Sequence, residues 1–202
     1  QLVADYILLD LGAGSSYNVI DFFLISNTGL IVTTPETTAI LSSYSFLKSA
    51  VYRLLYRTFP AKSAERDIIQ TFINAPLEGS SQSFVQLVHL LSEHSSDSGI
   101  KAEEQLQNFF PRIILNMGNS SQDFSVGAKL REISRKNLSI PMEFIGYLPR
   151  DPGVEKSIVT RIPYLIDNPD SNFSKGVGIV VNKLLSGTIS TPPQLFDDDE
   201  DI

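Results

Sequence analysis

The sequence predicts an α/β fold: a doubly wound, mainly parallel sheet in a three-layer α/β/α arrangement. Three observations predict it. Four apolar runs of strand length, residues 6–9, 29–34, 112–116 and 142–148, are separated by longer stretches with helical spacing of apolar residues. The runs are apolar throughout rather than alternating, as strands covered on both faces are. Each run ends on a polar or turn-forming residue, where open α/β sheets place their ligand sites.

The first run, Tyr6-Ile7-Leu8-Leu9, closes on Asp10 and is followed by Leu11-Gly12-Ala13-Gly14-Ser15-Ser16. Gly12 and Gly14 permit a sharp turn that brings backbone N–H groups toward an anion. The same residues fit a buried strand with an ordinary tight turn after it. Ser15 and Ser16 can cap a helix that carries Val19, Ile20, Phe22, Phe23 and Leu24. The second run, Gly29 to Thr34, stops at Pro35, which cannot continue a central strand. Thr37 or Thr38 then caps a long helix over residues 39–56, with Ile40, Tyr44, Leu47, Val51 and Leu55 on one stripe. Strand, helix, strand, helix is the pattern of right-handed βαβ units.

Residues 59–110 break this rhythm and read as a helical insertion on one edge of the sheet, too long for a plain crossover. Residues 64–72 and 83–91 are amphipathic, residues 76–81 and 94–99 read as loops, and residues 102–110 read as a short third helix. The two histidines, His89 and His94, fall here as helix-face and loop residues rather than catalytic ones. Arg112 to Asn116 forms the third run. Residues 123–137 form a helix with Val126, Leu130 and Ile133 inward. Its outer face carries Lys129, Arg131, Arg135 and Lys136, which fits a solvated face or a partner or nucleic-acid contact. The fourth run ends on Pro149-Arg150-Asp151, and Pro152 opens a helix where its missing N–H costs nothing. Residues 161–166 break that helix, and Asn168-Pro169-Asp170-Ser171 caps a last one to about Leu185. Residues 1–187 thus read as one α/β domain containing the insertion. Residues 188–202, with the acid run Asp197 to Asp201, have the composition of a disordered tail.

Composition narrows the function classes. The absence of cysteine excludes disulfides, thiolate zinc sites and Cys-ligated iron–sulfur clusters, and fits a reducing compartment. With two histidines, a multi-histidine metal site is not expected. A net charge of −7 argues against a generally basic nucleic-acid binder. No run is long enough to span a bilayer, so the expectation is a cytoplasmic protein without an integral membrane segment. The chain enters an apolar run almost directly after Gln1, which leads us to expect natural residues before it.

In sequence order, the four run ends carry Asp10-Leu11-Gly12-Ala13-Gly14, Thr34-Pro35-Glu36, Asn116, and Gly146-Tyr147-Leu148-Pro149-Arg150-Asp151. With the later Pro163 and Asn168-Pro169-Asp170-Ser171 segment, the set resembles the MinD/ParA-like P-loop ATPases, nearest their flagellar-placement (FlhG-like) branch. The resemblance covers residues 1–58 and 111–186. It implies ATP and Mg²⁺ as cofactors and a nucleotide-dependent homodimer that positions flagella or division machinery, with residues 59–110 as a further protein contact. Asp10 matches the carboxylate that holds the Mg²⁺ shell through water and serves catalysis. Gly12, Gly14 and Ser15 match the turn that senses the γ-phosphate. Pro35 and Glu36 match a loop near the nucleotide and the dimer interface. Asn116 matches the residue that reads the adenine edge, and Pro149, Arg150 and Asp151 match the loop that packs on the base. Phosphoryl transfer relies on positioning and charge neutralisation, so a carboxylate and an N–H-rich turn are apt parts. Two departures stand out. No Gly-x-x-x-x-Gly-Lys-Ser/Thr stretch, nor its Lys-Gly-Gly variant, occurs in the 202 residues, so the first strand-loop-helix unit of the family is not in this chain. The end of the chain is acidic, where MinD itself carries a basic membrane helix. A non-catalytic scaffold derived from such an ATPase and a ParA-like DNA-partitioning protein are the competing readings.

Overall fold

Three apolar runs become strands in a computed structural model that describes residues 4–26, 28–75, 83–120 and 123–186, the Phe124 side chain excepted. They are β1 (Leu30–Thr33), β2 (Arg112–Gly118) and β3 (Glu143–Pro149), in the order β1-β2-β3. Both pairings are parallel, with Ile31 opposite Ile113 and Ile113 opposite Phe144. All three strands therefore finish on the same edge of the sheet. The ladder between β2 and β3 slips after Ile113, whose successor Ile114 pairs with Gly146, so Ile145 is the extra residue of a bulge. Among the described residues β1 has one neighbour, β2, and its outer edge is unpaired.

The helices are α1 (Tyr17–Phe23), α2 (Thr37–Thr58), α3 (Ala64–Asn74), α4 (Phe84–His94), α5 (Ser96–Asn108), α6 (Phe124–Leu138), α7 (Pro152–Thr160), α8 (Tyr164–Asp167) and α9 (Asn172–Leu185). On one face of the sheet Ile31, Ile113 and Phe144 meet a large core. It includes Leu47, Val51 and Leu55 of α2, Leu87 and Leu91 of α4, Leu106 of α5 and Leu130 of α6. On the other face Leu30, Ile114, Ile145 and Leu148 pack against Phe173, Val177, Val180 and Leu184 of α9. Consecutive residues of a strand thus point into opposite cores, the condition that makes the runs apolar throughout. Gly146 and Gly176 let α9 settle closely on β3. A Cβ on Gly146 would lie 2.2 Å from Val180 Cγ2, and one on Gly176 would lie 2.9 Å from the Tyr147 carbonyl oxygen.

Several sequence expectations change here. Residues 6–9 do not form a strand: Tyr6 is 71% exposed and Leu8 86%. A strand needs a neighbour for its N–H and C=O groups, and among the described residues none pairs with this stretch. Residues 94–99 are not a loop. A single break at Ser95 separates α4, which ends on His94, from α5, which begins at Ser96 and already contains Gly99. Gly99 lies against Ser92, where a Cβ would fall 1.9 Å from Ser92 Oγ, so the serines and glycine are the packing seam of a helical hairpin. The insertion lies on the helix layer rather than beside a strand: α3 and α5 pack on α2, and α4 packs on α6. In α6 the buried phase includes Leu130 and Ser134, while Ile133 is exposed. Glu36, rather than Thr37 or Thr38, is the N-cap of α2. The expected loop at residues 76–81 and the acidic tail at residues 188–202 lie outside the described residues.

The ends that were legible follow capping chemistry. Asp151 caps α7 by accepting the Gly153 N–H, and Pro152 occupies the first turn. Ser171 caps α9 by accepting the Ser174 N–H. Arg112 and Glu143, at the opposite edge of β2 and β3, form a buried ion pair with Nε to Oε2 at 3.0 Å.

Candidate functional site

The three strand ends converge on one sheet edge. After β1 come Thr34, Pro35 and Glu36, after β2 come Asn119 and Ser120, and after β3 come Arg150 and Asp151. Glu36 is fully exposed, and its carboxyl is held below the usual range. The Thr34 side-chain hydrogen bond does most of this, and the Glu36 backbone N–H adds to it. Asp123 repels the carboxylate and Arg150 attracts it. Glu36, Asp123 and Arg150 follow three different strands whose ends lie along one edge of the sheet.

Asn116 is half-buried near the end of β2, and its Oδ1 accepts the Met117 N–H at 2.9 Å. This bond stabilises a left-handed turn at Met117, whose φ is 57°. The Asn116 Nδ2 group is not used in it. Gly118 follows, and a Cβ there would lie 2.0 Å from the Tyr147 ring, so the ring closes directly over the strand end. The Arg150 N–H donates to the Gly118 carbonyl at 2.8 Å, tying the loop after β3 to the end of β2. Asp123 Oδ2 accepts the Asn119 and Ser120 N–H groups at 2.6 and 3.0 Å. Tyr147 Oη donates to the Ser120 carbonyl at 3.3 Å. Burial first, and then the nearby Asp123 charge, push the Tyr147 phenol up.

Asp151 is committed on both oxygens. Oδ1 accepts the Gly153 N–H at 2.9 Å and Oδ2 accepts the Tyr164 hydroxyl at 2.7 Å. The Tyr164 phenol is raised chiefly by this bond to a carboxylate. Asp151 therefore shapes the loop through both of its oxygens. Arg150 is exposed and reaches Glu155 at 3.7 Å, a solvent-screened pair. Pro149 closes β3 and is half-buried, as Pro35 is after β1.

The residues placed on the first run stand apart. Asp10, Gly12, Gly14 and Ser15 are exposed, and no hydrogen bond or ion pair among the described residues ties them to the other loops. The Gly14 N–H bonds back to the Gly12 carbonyl at 2.9 Å, so the expected turn is present. A Cβ on either glycine would meet nothing within 4 Å, so packing in this structure does not demand glycine there. The structure thus brings together Glu36, Asn116, Pro149, Arg150 and Asp151, and leaves the Asp10 turn outside the cluster.

Sequence reasoning missed Asp123, Ser120, Tyr147 and Tyr164. Asp123 was legible as the start of a helix, and its spacing to Asn119 and Ser120 is the signal of a carboxylate folding back on its own loop. For Tyr147 and Tyr164 no local pattern separates a site residue from a core aromatic. The histidines lie elsewhere. His89 faces Glu93 at 3.5 Å on the surface of α4, and His94 lies 4.0 Å from Glu65, whose carboxylate also accepts the Ser98 hydroxyl at 2.8 Å. Among the described residues no group of three or more histidines and carboxylates could hold a metal ion. For a water-mediated Mg²⁺ the fit reduces to the single exposed carboxylate of Asp10. No helix among the described residues is long and apolar enough to cross a membrane.

No protein-family model matches the chain, and no curated protein matches it.

Proposed function

We propose that this chain belongs to an ATP-binding and ATP-hydrolysing regulator of the MinD/ParA type, which positions flagella or division machinery through nucleotide-dependent dimerisation. The observation that carries the reading is that the ends of three parallel strands and the loops after them, which hold Glu36, Asn116 and Arg150, follow one sheet edge, with the Arg150 N–H bonded to the Gly118 carbonyl beside the Asn116 turn. A parallel sheet offers its ligand site along that edge. The adenine base would meet Asn116 Nδ2 and the Pro149–Arg150 backbone, with Asp151 holding the loop through its two internal bonds. Arg150 supplies positive charge, and Pro35 and Glu36 border the site. Asp10 would hold Mg²⁺ through water, with Gly12, Gly14 and Ser15 facing the phosphates once the first run is seated in a sheet. Bound ATP with Mg²⁺ supplies the phosphoryl group. The chain's own residues bind the base, orient the loop and neutralise charge.

The lysine loop that grips phosphates in such enzymes is not among these 202 residues, so the chain by itself is expected to bind nucleotide weakly and to hydrolyse none. The test is competition between ATP and GTP for the chain with fluorescent ATP and Mg²⁺ as the probe. ATP should win, and Asn116→Ala should abolish the preference. Equal competition in the parent chain overturns the reading. In the protein joined to a phosphate-loop segment, Asp10→Ala should eliminate turnover, and unchanged turnover contradicts the role of Asp10.

The exposed Asp10 turn, tied to none of the strand-end loops among the described residues, favours a second reading, a non-catalytic scaffold that acts through the insertion at residues 59–110. No nucleotide binding with or without the added segment would select it.

A further inference from the structure

We infer that a groove between α1 and the last turns of α2 binds a small organic acid, a monocarboxylate with an apolar body. The groove has a volume of about 360 Å³ and is lined by Asn18, Asp21, Phe22, Ile25, Leu54 and Arg57. That is room for a small ligand. The Phe23 ring, at the end of α1, rests against Gly29, the residue before β1. The groove therefore lies toward the edge where the strands begin, opposite the edge that holds Glu36, Asn116 and Arg150.

The sequence builds two walls. Asn18, Asp21, Phe22 and Ile25 recur at helical spacing and share one side of α1 and the turn that ends it. Ile20 and Phe23, on the other side, are buried. Leu54 and Arg57, three residues apart on α2, form the facing wall. Phe22 is 52% exposed and Ile25 70%, so the apolar part of the groove is open.

The charges beside it do not balance. Asp21 is the one carboxylate within ion-pair distance of Arg53 and Arg57 among the described residues. Arg53 holds it with two bonds, Nε to Oδ1 and Nη2 to Oδ2, each 2.7 Å. That fork is spent on Asp21, and the guanidinium lies 5.1 Å from the centre of the Tyr17 ring. Arg57 reaches Oδ1 through Nη1 at 3.2 Å, and its Nε and Nη2 groups make no hydrogen bond among the described residues. Two guanidinium groups thus share one carboxylate, and a positive charge with open donors borders an apolar wall. A ligand carboxylate answers that charge, with its body against Phe22, Ile25 and Leu54 and the Asn18 carboxamide as a further donor. A dianion such as a phosphate monoester exceeds the single surplus charge and is repelled by Asp21.

The test is titration of the isotope-labelled 202-residue chain with 4-phenylbutyrate in nucleotide-free buffer, followed by amide chemical shifts. Saturable shifts over residues 18–25 and 54–57 are expected, with a dissociation constant on the order of 1 mM for a probe of this size. The uncharged 4-phenylbutanamide should bind roughly tenfold more weakly. Arg57→Gln should bring the acid down to the level of the amide, and Phe22→Ser should weaken both probes alike. Both side chains are about half exposed, so far-UV circular dichroism should match the parent chain. Absence of saturable shifts, or shifts confined to other residues, overturns the inference. So does equal affinity for acid and amide, or an Arg57→Gln chain that keeps the preference. The groove is remote from the strand-end loops and the titration contains no nucleotide, so its outcome is separate from that of the ATP reading.

Discussion

The two faces of the sheet are covered to very different depths. On one face α2 and α6 lie on the strands, and the insertion lies on those helices, so that Leu47, Val51, Leu55, Leu87 and Leu91 are completely enclosed. On the other, α9 is the helix that packs on β2 and β3 among the described residues, and Val32 of β1 is 59% exposed. The difference teaches where stability resides. The thick face encloses most of the buried side chains, and the thin face depends on fewer, closely fitted contacts such as those of Gly146 and Gly176. A site at the strand ends is thus supported from one side.

This contrast can be broken by mutation. The largest effect is expected at Leu55→Ala, which empties a fully buried position in the thick layer and should lower unfolding free energy by about 4 kcal/mol in urea denaturation. Arg112→Ala should cost about 3 kcal/mol, because it leaves the Glu143 carboxylate buried beside it without a partner. Val180→Ala, on the thin face, should cost about 1.5 kcal/mol, since α9 can settle toward β3 and fewer atoms are lost. A Val180 loss equal to that of Leu55 would refute the asymmetry. Asp151→Ala removes a helix cap and should cost about 1 kcal/mol, with faster amide exchange confined to α7 and α8.

A pH titration gives the smallest and most specific signal. The hydrogen bond from Arg53 to Asp21, at 2.7 Å, holds that carboxyl below the ordinary range, with Arg57 assisting. A carboxyl lowered in the folded state stabilises above its unfolded value and loses that contribution as pH falls through the folded one. The stability difference between the parent chain and Asp21→Asn should therefore be constant above about pH 5 and vanish on acidification.

Most of this fold was legible because its signals are local. The Ile40, Leu47, Val51 and Leu55 stripe, Pro152 after Asp151, and Ser171 before α9 each act within a turn or two of chain. Residues 6–9 misled because a strand is a property of two chain segments, and apolar character names only one of them. Residues 94–99 misled because Ser and Gly serve loops and tight helix seams alike, and the close approach of Ser92 to Gly99 that decides between them is a tertiary fact. The shift from Ile133 to Ser134 in α6 is one position of helical phase. At the candidate site, Glu36, Asn116 and Arg150 were legible as strand-end residues. That Asp151 is spent on Gly153 and Tyr164 was not, since Tyr164 lies 13 residues away.

The margin of β1, unpaired among the described residues, carries a practical consequence. Leu30-Ile31-Val32-Thr33 contains no lysine, proline or acid to discourage an incoming strand. Concentrated stocks should therefore deposit slowly as thioflavin-positive fibrils seeded there, and a single gatekeeper charge, Val32→Lys, placed on an already solvated side chain, should extend shelf life while leaving the melting temperature where it was.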